Sequence, residues 1–259
     1  MLIMISIFFF LIMWWNKKIL INVEDKNEIY DELTEELSKI EVPAKQKITN
    51  DKSTSGLNVY GEDFTIKVYY ILSKYATRMK KSLNEKSFLN RIEFLRNEDH
   101  GAYATEFHNG EKEEAVELKR ITGDIMRLLK IIESDYVISM NYHSRKPEFK
   151  SKMMQIQGSI SKEIFTEDEI SPKIPESLDE EKATEIRDFA RQTTNKIISD
   201  LTSTIKDQSV LNDRMTFEIS KLDDVIYLKY GFKNKEVIKA FEKYSLLGNQ
   251  ANKSSPITS

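Results

Sequence analysis

The chain has 259 residues and a net charge of −3 from 39 basic and 42 acidic side chains, so it can bury a sizeable core and has no global electrostatic attraction to nucleic acid. Only 8 Gly and 5 Pro occur, while 31% of the residues are charged and 40% hydrophobic, which excludes collagen-like and low-complexity repeats and disfavours a turn-dense all-β fold. The sequence contains no cysteine, which excludes a disulfide framework, thiolate-bound iron–sulfur or zinc sites, and thiol catalysis.

Residues 1–21 are predicted to form an N-terminal hydrophobic anchor. Met1–Trp15 is apolar at all but one position. At a rise of 1.5 Å per residue, such a run reaches about 22 Å, which is short of the roughly 30 Å hydrocarbon core. Bilayer thinning, snorkelling lysines and an interfacial aromatic belt relieve this shortfall. The tryptophans and lysines that would do this are Trp14, Trp15, Lys17 and Lys18. Because the lysines follow the apolar run, the positive-inside rule places the body of the protein on the cytoplasmic side.

Two other interpretations of the N-terminus stay open. A cleaved signal peptide would make the protein exported or secreted, but no Lys or Arg precedes the apolar run and no A-x-A-like site follows it. A buried N-terminal helix or strand, or a start codon placed too far upstream, is the remaining alternative, because short apolar runs also occur in protein cores.

Residues 22–58 are predicted to form an acidic helix followed by a polar linker. Apolar residues recur at helical spacing on an acidic background at Ile29, Leu33, Leu37 and Ile40. Pro43 ends this pattern, and the stretch 43–58 shows no periodicity. We therefore place the first domain boundary in that stretch.

Residues 59–165 are predicted to form a helical bundle. One helix face is formed by Phe64, Val68, Ile71, Tyr75 and Met79. Apolar and polar residues also alternate over 64–70, so a strand is the rival interpretation there. A polar connection is predicted over 98–110 and a second long helix over 116–136. A basic loop around Pro147 precedes a third predicted helix.

Residues 166–176 are predicted to be a linker, because they contain two prolines, and 177–248 a C-terminal helical region. The first helix of this region has Ser177 as its predicted cap and carries apolar residues as far as Ile205. Over 215–230 the sequence fits either a small β-hairpin or a helix ended by a glycine. A last helix, capped by Asn234, precedes a predicted disordered tail over 249–259. The predicted fold is mainly α: a helical bundle with an N-terminal membrane anchor and, as the alternative at 215–230, a small C-terminal β-hairpin.

His100 and His108 are the candidate metal-binding or catalytic residues, since Asp99 and Glu106 accompany them in the sequence. Their spacing fits no helical i, i+4 pair, and no metalloprotease, phosphate-loop or nucleophile-elbow motif occurs. A polar surface loop is therefore the favoured interpretation. Neighbouring carboxylates, such as the pair at 223–224, are interpreted as solvated helix faces. No catalytic, cofactor or metal site is predicted.

A lysine stripe along the last predicted helix is the candidate contact with an anionic surface. It consists of Lys235, Lys239 and Lys243. The competing interpretation is a solvated face, because acidic residues interleave with the lysines. Aromatic residues for base stacking are missing there, so no nucleic-acid partner is expected.

These patterns predict a membrane-anchored helical structural or interaction protein without catalytic activity. It would bind the membrane through its N-terminus and a protein partner through a helix face. The first alternative is an exported or secreted helical protein with a cleaved N-terminal signal. The second is an enzyme with a dispersed site of His and carboxylate residues, which a pocket joining His100 and His108 to carboxylates would favour.

Overall fold

A computed structural model of the chain describes residues 25–48 and 56–247. Nine helices and one small sheet occur in these ranges. The helices are α1 (Lys26–Ser38), α2 (Glu62–Arg96), α3 (His100–Leu128), α4 (Glu133–His143), α5 (Pro147–Ile164), α6 (Glu167–Ile170), α7 (Glu180–Thr204), α8 (Gln208–Tyr230) and α9 (Asn234–Lys243). The strands β1 (Gln46–Lys47) and β2 (Asn58–Val59) pair antiparallel. The predicted mainly α fold is confirmed for this part of the chain.

The N-terminal anchor predicted over 1–21 lies outside the described residues, together with Trp14, Trp15, Lys17 and Lys18. The tail predicted over 249–259 lies outside them as well. Of the helices in the described ranges, none combines the length and the apolar character that crossing a bilayer requires.

The described residues divide into two compact units, one made of 25–48, 56–90 and 104–170 and the other of 91–103 and 171–247. The core of the first unit joins one face of α1 to the faces of α2 and α3. The fully buried members of this core include Ile29, Leu33, Val68, Ile71, Tyr75, Met79, Ile121 and Ile125. Their spacing of three and four residues brings them to one side of each helix, as the sequence predicted.

Charged contacts add to the apolar contacts between α1 and α3. Glu117 accepts hydrogen bonds from Lys26 Nζ at 3.0 Å and from the Tyr30 hydroxyl at 2.9 Å. Burial alone would raise the pKa of Glu117, but the hydrogen bonds from Lys26 and Tyr30 outweigh it, so the pKa lies below its usual range. Glu117 is therefore held as a carboxylate at neutral pH.

The chain just before α2 is held by a group that we call the clasp, formed by Tyr60, Ser139 and His143. The Tyr60 N–H donates to Ser139 Oγ at 2.9 Å, and the Ser139 hydroxyl donates to the Asp135 carbonyl at 2.7 Å. His143 Nε2 lies 2.9 Å from the Tyr60 carbonyl oxygen, which can only accept, so Nε2–H is the donor of this bond. Its ring stacks on Phe149 with centroids 5.6 Å apart. Both main-chain groups of residue 60 are thus paired away from water.

Two predictions for the first half of the chain are wrong. The strand proposed as a rival for 64–70 does not form, because these residues belong to α2 and bury every third or fourth side chain. The polar connection predicted over 98–110 is only a short turn at 97–99, after which α3 begins. Glu98 adopts a positive φ of 57°, and the Asp99 carboxylate accepts from the Ala102 N–H at 2.9 Å. This cap starts a helix whose first turns are mostly solvated and so resemble a loop in sequence.

The β-hairpin alternative for 215–230 is also wrong. These residues lie within α8, which ends at Gly231 with a φ of 80°. The alternation that suggested a strand is short, whereas Phe217, Leu222 and Ile226 are buried at helical spacing. Two caps differ from prediction as well. The cap of α7 is Asp179 rather than Ser177, and α9 begins at Asn234, whose predecessor Lys233 holds the cap position.

Candidate functional site

The helices α7 and α8 form a helical hairpin in the second unit. The Asp179 carboxylate accepts from the Lys182 N–H at 2.8 Å and starts α7. The Asp207 carboxylate accepts from the backbone N–H groups of Ser209 at 2.9 Å and Val210 at 3.0 Å and starts α8. Only residues 205–207 connect the two helices, and so short a connection makes them antiparallel neighbours.

The base of this hairpin is closed by α9. The buried members of the shared core are Leu178, Ala183, Ile186, Leu222, Ile226, Val237 and Ala240. Ala183, Ile186 and Ala240 have no exposed surface. At the base, therefore, the apolar stripe of each hairpin helix is covered by a third helix.

The tip of the hairpin, residues 191–216, has no such cover. Helix α7 has 25 residues and α9 only 10, so α9 is too short to follow α7 along its whole length. No side chain in 191–216 is buried. The large apolar side chains in this range are Ile197, Ile198, Leu201, Ile205, Val210, Leu211 and Met215. Of these, Ile198 is 38% exposed and Val210 54% exposed. The other five are half-buried, so the tip leaves part of its apolar surface in contact with water.

The tip is close to electrically neutral. Its four basic residues are Arg191, Lys196, Lys206 and Arg214, and its three acidic residues are Asp200, Asp207 and Asp213, which gives a net charge of +1. A surface with this balance has little electrostatic preference for a strongly acidic or strongly basic ligand. The chemistry of the tip surface is therefore mainly apolar and uncharged.

A buried polar network holds α8 in place within the second unit. Asp224 has no exposed surface, and its Oδ2 accepts from Arg91 Nε at 2.7 Å and from the Tyr103 hydroxyl at 2.8 Å. The Tyr103 ring packs edge-on against Phe217, with centroids 5.9 Å apart. Phe217 and Asp224 lie on α8 just beyond the tip. The network therefore fixes the part of the hairpin next to the tip.

The pKa shifts of the network follow from its burial and its charges. Burial alone would lower the pKa of Arg91, but the Asp224 carboxylate outweighs that effect and the pKa is raised. Burial raises the pKa of the Tyr103 hydroxyl, and the neighbouring Asp224 raises it further. Arg91 is therefore charged and Tyr103 protonated at neutral pH.

The interpretation of the 223–224 carboxylates as a solvated face is wrong for Asp224. Sequence reasoning missed this residue because its partners lie far away in the chain, with separations of 133 and 121 residues. No local pattern signals such a pairing. The open tip could not be predicted for a related reason, since its apolar residues look like any other helix face.

His100 and His108, the predicted candidates for a metal or catalytic site, both lie exposed on α3. They are therefore not in a loop. Across residues 25–48 and 56–247, no three His, Asp or Glu side chains come close enough together to hold a metal ion.

The predicted lysine stripe lies on α9. Lys243 is exposed, whereas Lys235 and Lys239 are half-buried. Lys239 Nζ donates to Ser171 Oγ at 2.8 Å, and Lys243 Nζ lies 4.8 Å from the centroid of the Tyr244 ring. The contact of these lysines with an anionic surface stays a prediction.

Comparison with known proteins adds no relative: no protein-family model matches the chain, and no curated protein or solved structure matches it.

Proposed function

We propose that this chain is a helical interaction protein, held at a membrane by its N-terminal run, that binds a protein partner through the tip of the α7–α8 hairpin. The observation that carries this proposal is the absence of any buried side chain over residues 191–216, in a hairpin with seven large apolar residues there. The base of the same hairpin shows how such surface is normally covered, because α9 packs on it.

The physical reason for a partner is the cost of leaving this surface in water. Covering apolar surface contributes roughly 25 cal/mol per Å², so several half-exposed Ile and Leu side chains provide a driving force of a few kcal/mol. Isolated apolar residues on a surface are ordinary, but the tip holds seven large apolar side chains on two adjacent helices and the connection between them, and none of the seven is buried.

The membrane tether is supported by the sequence of Met1–Trp15 and the two lysines behind it. In this proposal the apolar run enters the bilayer, Trp14 and Trp15 lie at the interface, and the body lies on the cytoplasmic side. Removal of the run after export is the alternative, and it would leave the same hairpin on a secreted protein.

We expect the full-length chain to stay in the membrane pellet after carbonate washing, while a truncated chain beginning at Val23 is released into the supernatant. The reason is that only the N-terminal run provides enough contiguous apolar surface to anchor the protein in lipid. Immunoblotting of both fractions measures the result. Release of the full-length chain by carbonate would contradict the tether, and a mature N-terminus beyond residue 21 would identify the exported alternative.

We expect partner binding to shield Ile198 in the membrane. The chain lacks cysteine, so Ile198→Cys provides a single thiol on the tip. Its rate of reaction with a soluble maleimide should be several-fold lower in native membranes than in the purified chain at low concentration. Leu228→Cys serves as the reference, because Leu228 is 38% exposed like Ile198 but lies on α8 outside the tip, so its rate should change little. If Ile198→Cys reacts equally fast in both settings, the tip has no partner and the proposed interaction function is wrong.

A further inference from the structure

The solvent-facing side of α3 carries a row of exposed residues that we call the α3 line. All of its members lie within the helix, and at 100° per residue they fall within about 80° of arc. They are Lys112, Val116, Lys119, Gly123 and Arg127. Ile121 and Ile125, which have no exposed surface, lie on the opposite side of the helix. A Cβ atom placed on Gly123 would meet no neighbour within 4 Å, so this face of α3 is open to water.

Two of the three cations of the α3 line have no counterion. Across residues 25–48 and 56–247, neither Lys112 nor Lys119 forms an ion pair or a side-chain hydrogen bond. The third cation, Arg127, lies 3.0 Å from the Asp124 carboxylate, and its own side chain is exposed. The line itself contains no acidic residue. It therefore presents positive charge to the solvent.

The carboxylates beside the line are held by cations from other helices. Glu113 and Glu117 accept hydrogen bonds from Lys26 of α1 at 2.9 Å and 3.0 Å. Glu114 forms an ion pair with Lys80 of α2 at 3.0 Å. These contacts neutralise the acidic side of α3 from within the first unit. The charge of the α3 line is left without an internal partner for the same reason.

The start of α1 brings the α3 line close to the predicted anchor. Lys26 is the first residue of α1, and its Nζ lies 2.9 Å from Glu113, the neighbour of Lys112 in the sequence. The anchor of the proposed function ends at residue 21, and the five residues from there to Lys26 span at most about 18 Å. An inserted anchor therefore holds this segment of α3 near the bilayer surface.

We propose that the α3 line binds the anionic headgroups of the membrane to which the N-terminal run tethers the chain. This inference rests on the membrane tether of the proposed function and adds a second contact with the same bilayer. The line is about 22 Å long at 1.5 Å per residue, so α3 lies along the membrane surface in this arrangement. Lipid is favoured over an acidic protein as the occupant, because the tether already holds this face beside an anionic cytoplasmic leaflet.

The composition of the line fits a surface contact rather than an anchor. Val116 is 64% exposed between the two lysines, at the position where an apolar side chain can enter the headgroup boundary. Each lysine near an anionic leaflet favours the docked state roughly fivefold, and the attraction falls away within a Debye length. Two lysines and an arginine thus orient a chain that is already tethered but do not hold it to the membrane alone.

The test uses the full-length chain with Val116→Cys, which is a single thiol because the sequence contains no cysteine. The chain is reconstituted into vesicles of phosphatidylcholine, alone or with about one third phosphatidylserine. An uncharged maleimide should react several-fold more slowly in the anionic vesicles, and about 0.5 M salt should remove most of this difference. Met154→Cys, exposed on α5 of the same unit, is the matched reference and should react equally fast in both vesicle types.

Charge reversal identifies the residues responsible. In the Val116→Cys chain, Lys112→Glu combined with Lys119→Glu should abolish the effect of phosphatidylserine on the reaction rate. Lys150→Glu combined with Lys162→Glu reverses the same charge at two exposed lysines of α5 and should leave the effect unchanged.

Four results would overturn the proposal. Equal reaction of Val116→Cys in the two vesicle types is the first, and an equal loss of lipid dependence in both double variants is the second. The third is shielding of Val116→Cys in native membranes but not in anionic vesicles, which would assign the line to an acidic protein. The fourth is failure of the chain to float with neutral vesicles, which would remove the tether as well. Flotation with both vesicle types but no effect of phosphatidylserine would remove only the α3 contact and leave the proposed function intact.

Discussion

Replacing Asp224 by Ala should lower the free energy of unfolding by about 3–5 kcal/mol, because it leaves a charged guanidinium buried without its carboxylate. The Arg91 side chain is 12% exposed and the Asp224 side chain 1% exposed, so water cannot substitute for the lost partner. The Tyr103 hydroxyl also loses its acceptor. Urea denaturation of the chain beginning at Val23 measures the change.

Asp213→Ala is the matched control for this change, because Asp213 lies exposed on the same helix. Its effect should stay within about 0.5 kcal/mol, as for most surface substitutions. A double variant, Arg91→Met with Asp224→Leu, should recover much of the lost stability, since removing both charges avoids an unpaired one. Equal effects of Asp224→Ala and Asp213→Ala would show that the network does not stabilise the second unit.

Ile186→Ala should cost about 2–5 kcal/mol of stability, whereas Ile198→Ala should cost less than about 1 kcal/mol. Both substitutions remove the same atoms from the same helix. Ile186 has no exposed surface and packs in the core closed by α9, while Ile198 is 38% exposed on the tip. The difference arises because the first change leaves a cavity and the second does not.

Urea denaturation at low protein concentration measures both variants, so that any association between chains does not contribute. A cost for Ile198→Ala equal to that for Ile186→Ala would mean that the tip is covered within the monomer. A low cost for both would mean that α9 does not form a rigid cover at the base. Either outcome would contradict the division of the hairpin into a closed base and an open tip.

The helices that were predicted well are those with a sustained one-sided pattern. Ile29, Leu33 and Leu37 were expected to share a face of α1, and they are 0%, 1% and 4% exposed. The face of α2 from Phe64 to Met79 is buried throughout as expected. In these cases the spacing of the apolar residues is enough to predict both the helix and its buried face, because one side of each helix packs on a core.

The features that could not be predicted depend on distant contacts or on the length of a neighbouring helix. The burial of Asp224 requires Arg91 and Tyr103, and nothing near Asp224 in the sequence indicates either of them. The openness of the tip depends on where α9 ends, whereas apolar residues occur in both the covered and the uncovered part of α7. The turn at 97–99 was mistaken for the start of a long loop because the first turns of α3 bury little besides Tyr103.

The clasp has a consequence for how this chain can vary in length. Its hydrogen bonds to residue 60 involve only the main-chain N–H and carbonyl. They therefore fix the position of the backbone there and do not depend on the side chain of residue 60. The point at which α2 begins is therefore set by Ser139 and His143 rather than by the segment between β1 and β2. Since the entropy of closing a loop rises only slowly with its length, insertions or deletions between the strands can accumulate without shifting the register of α2. In related chains, this segment is where the length should differ while the core of the first unit keeps its spacing.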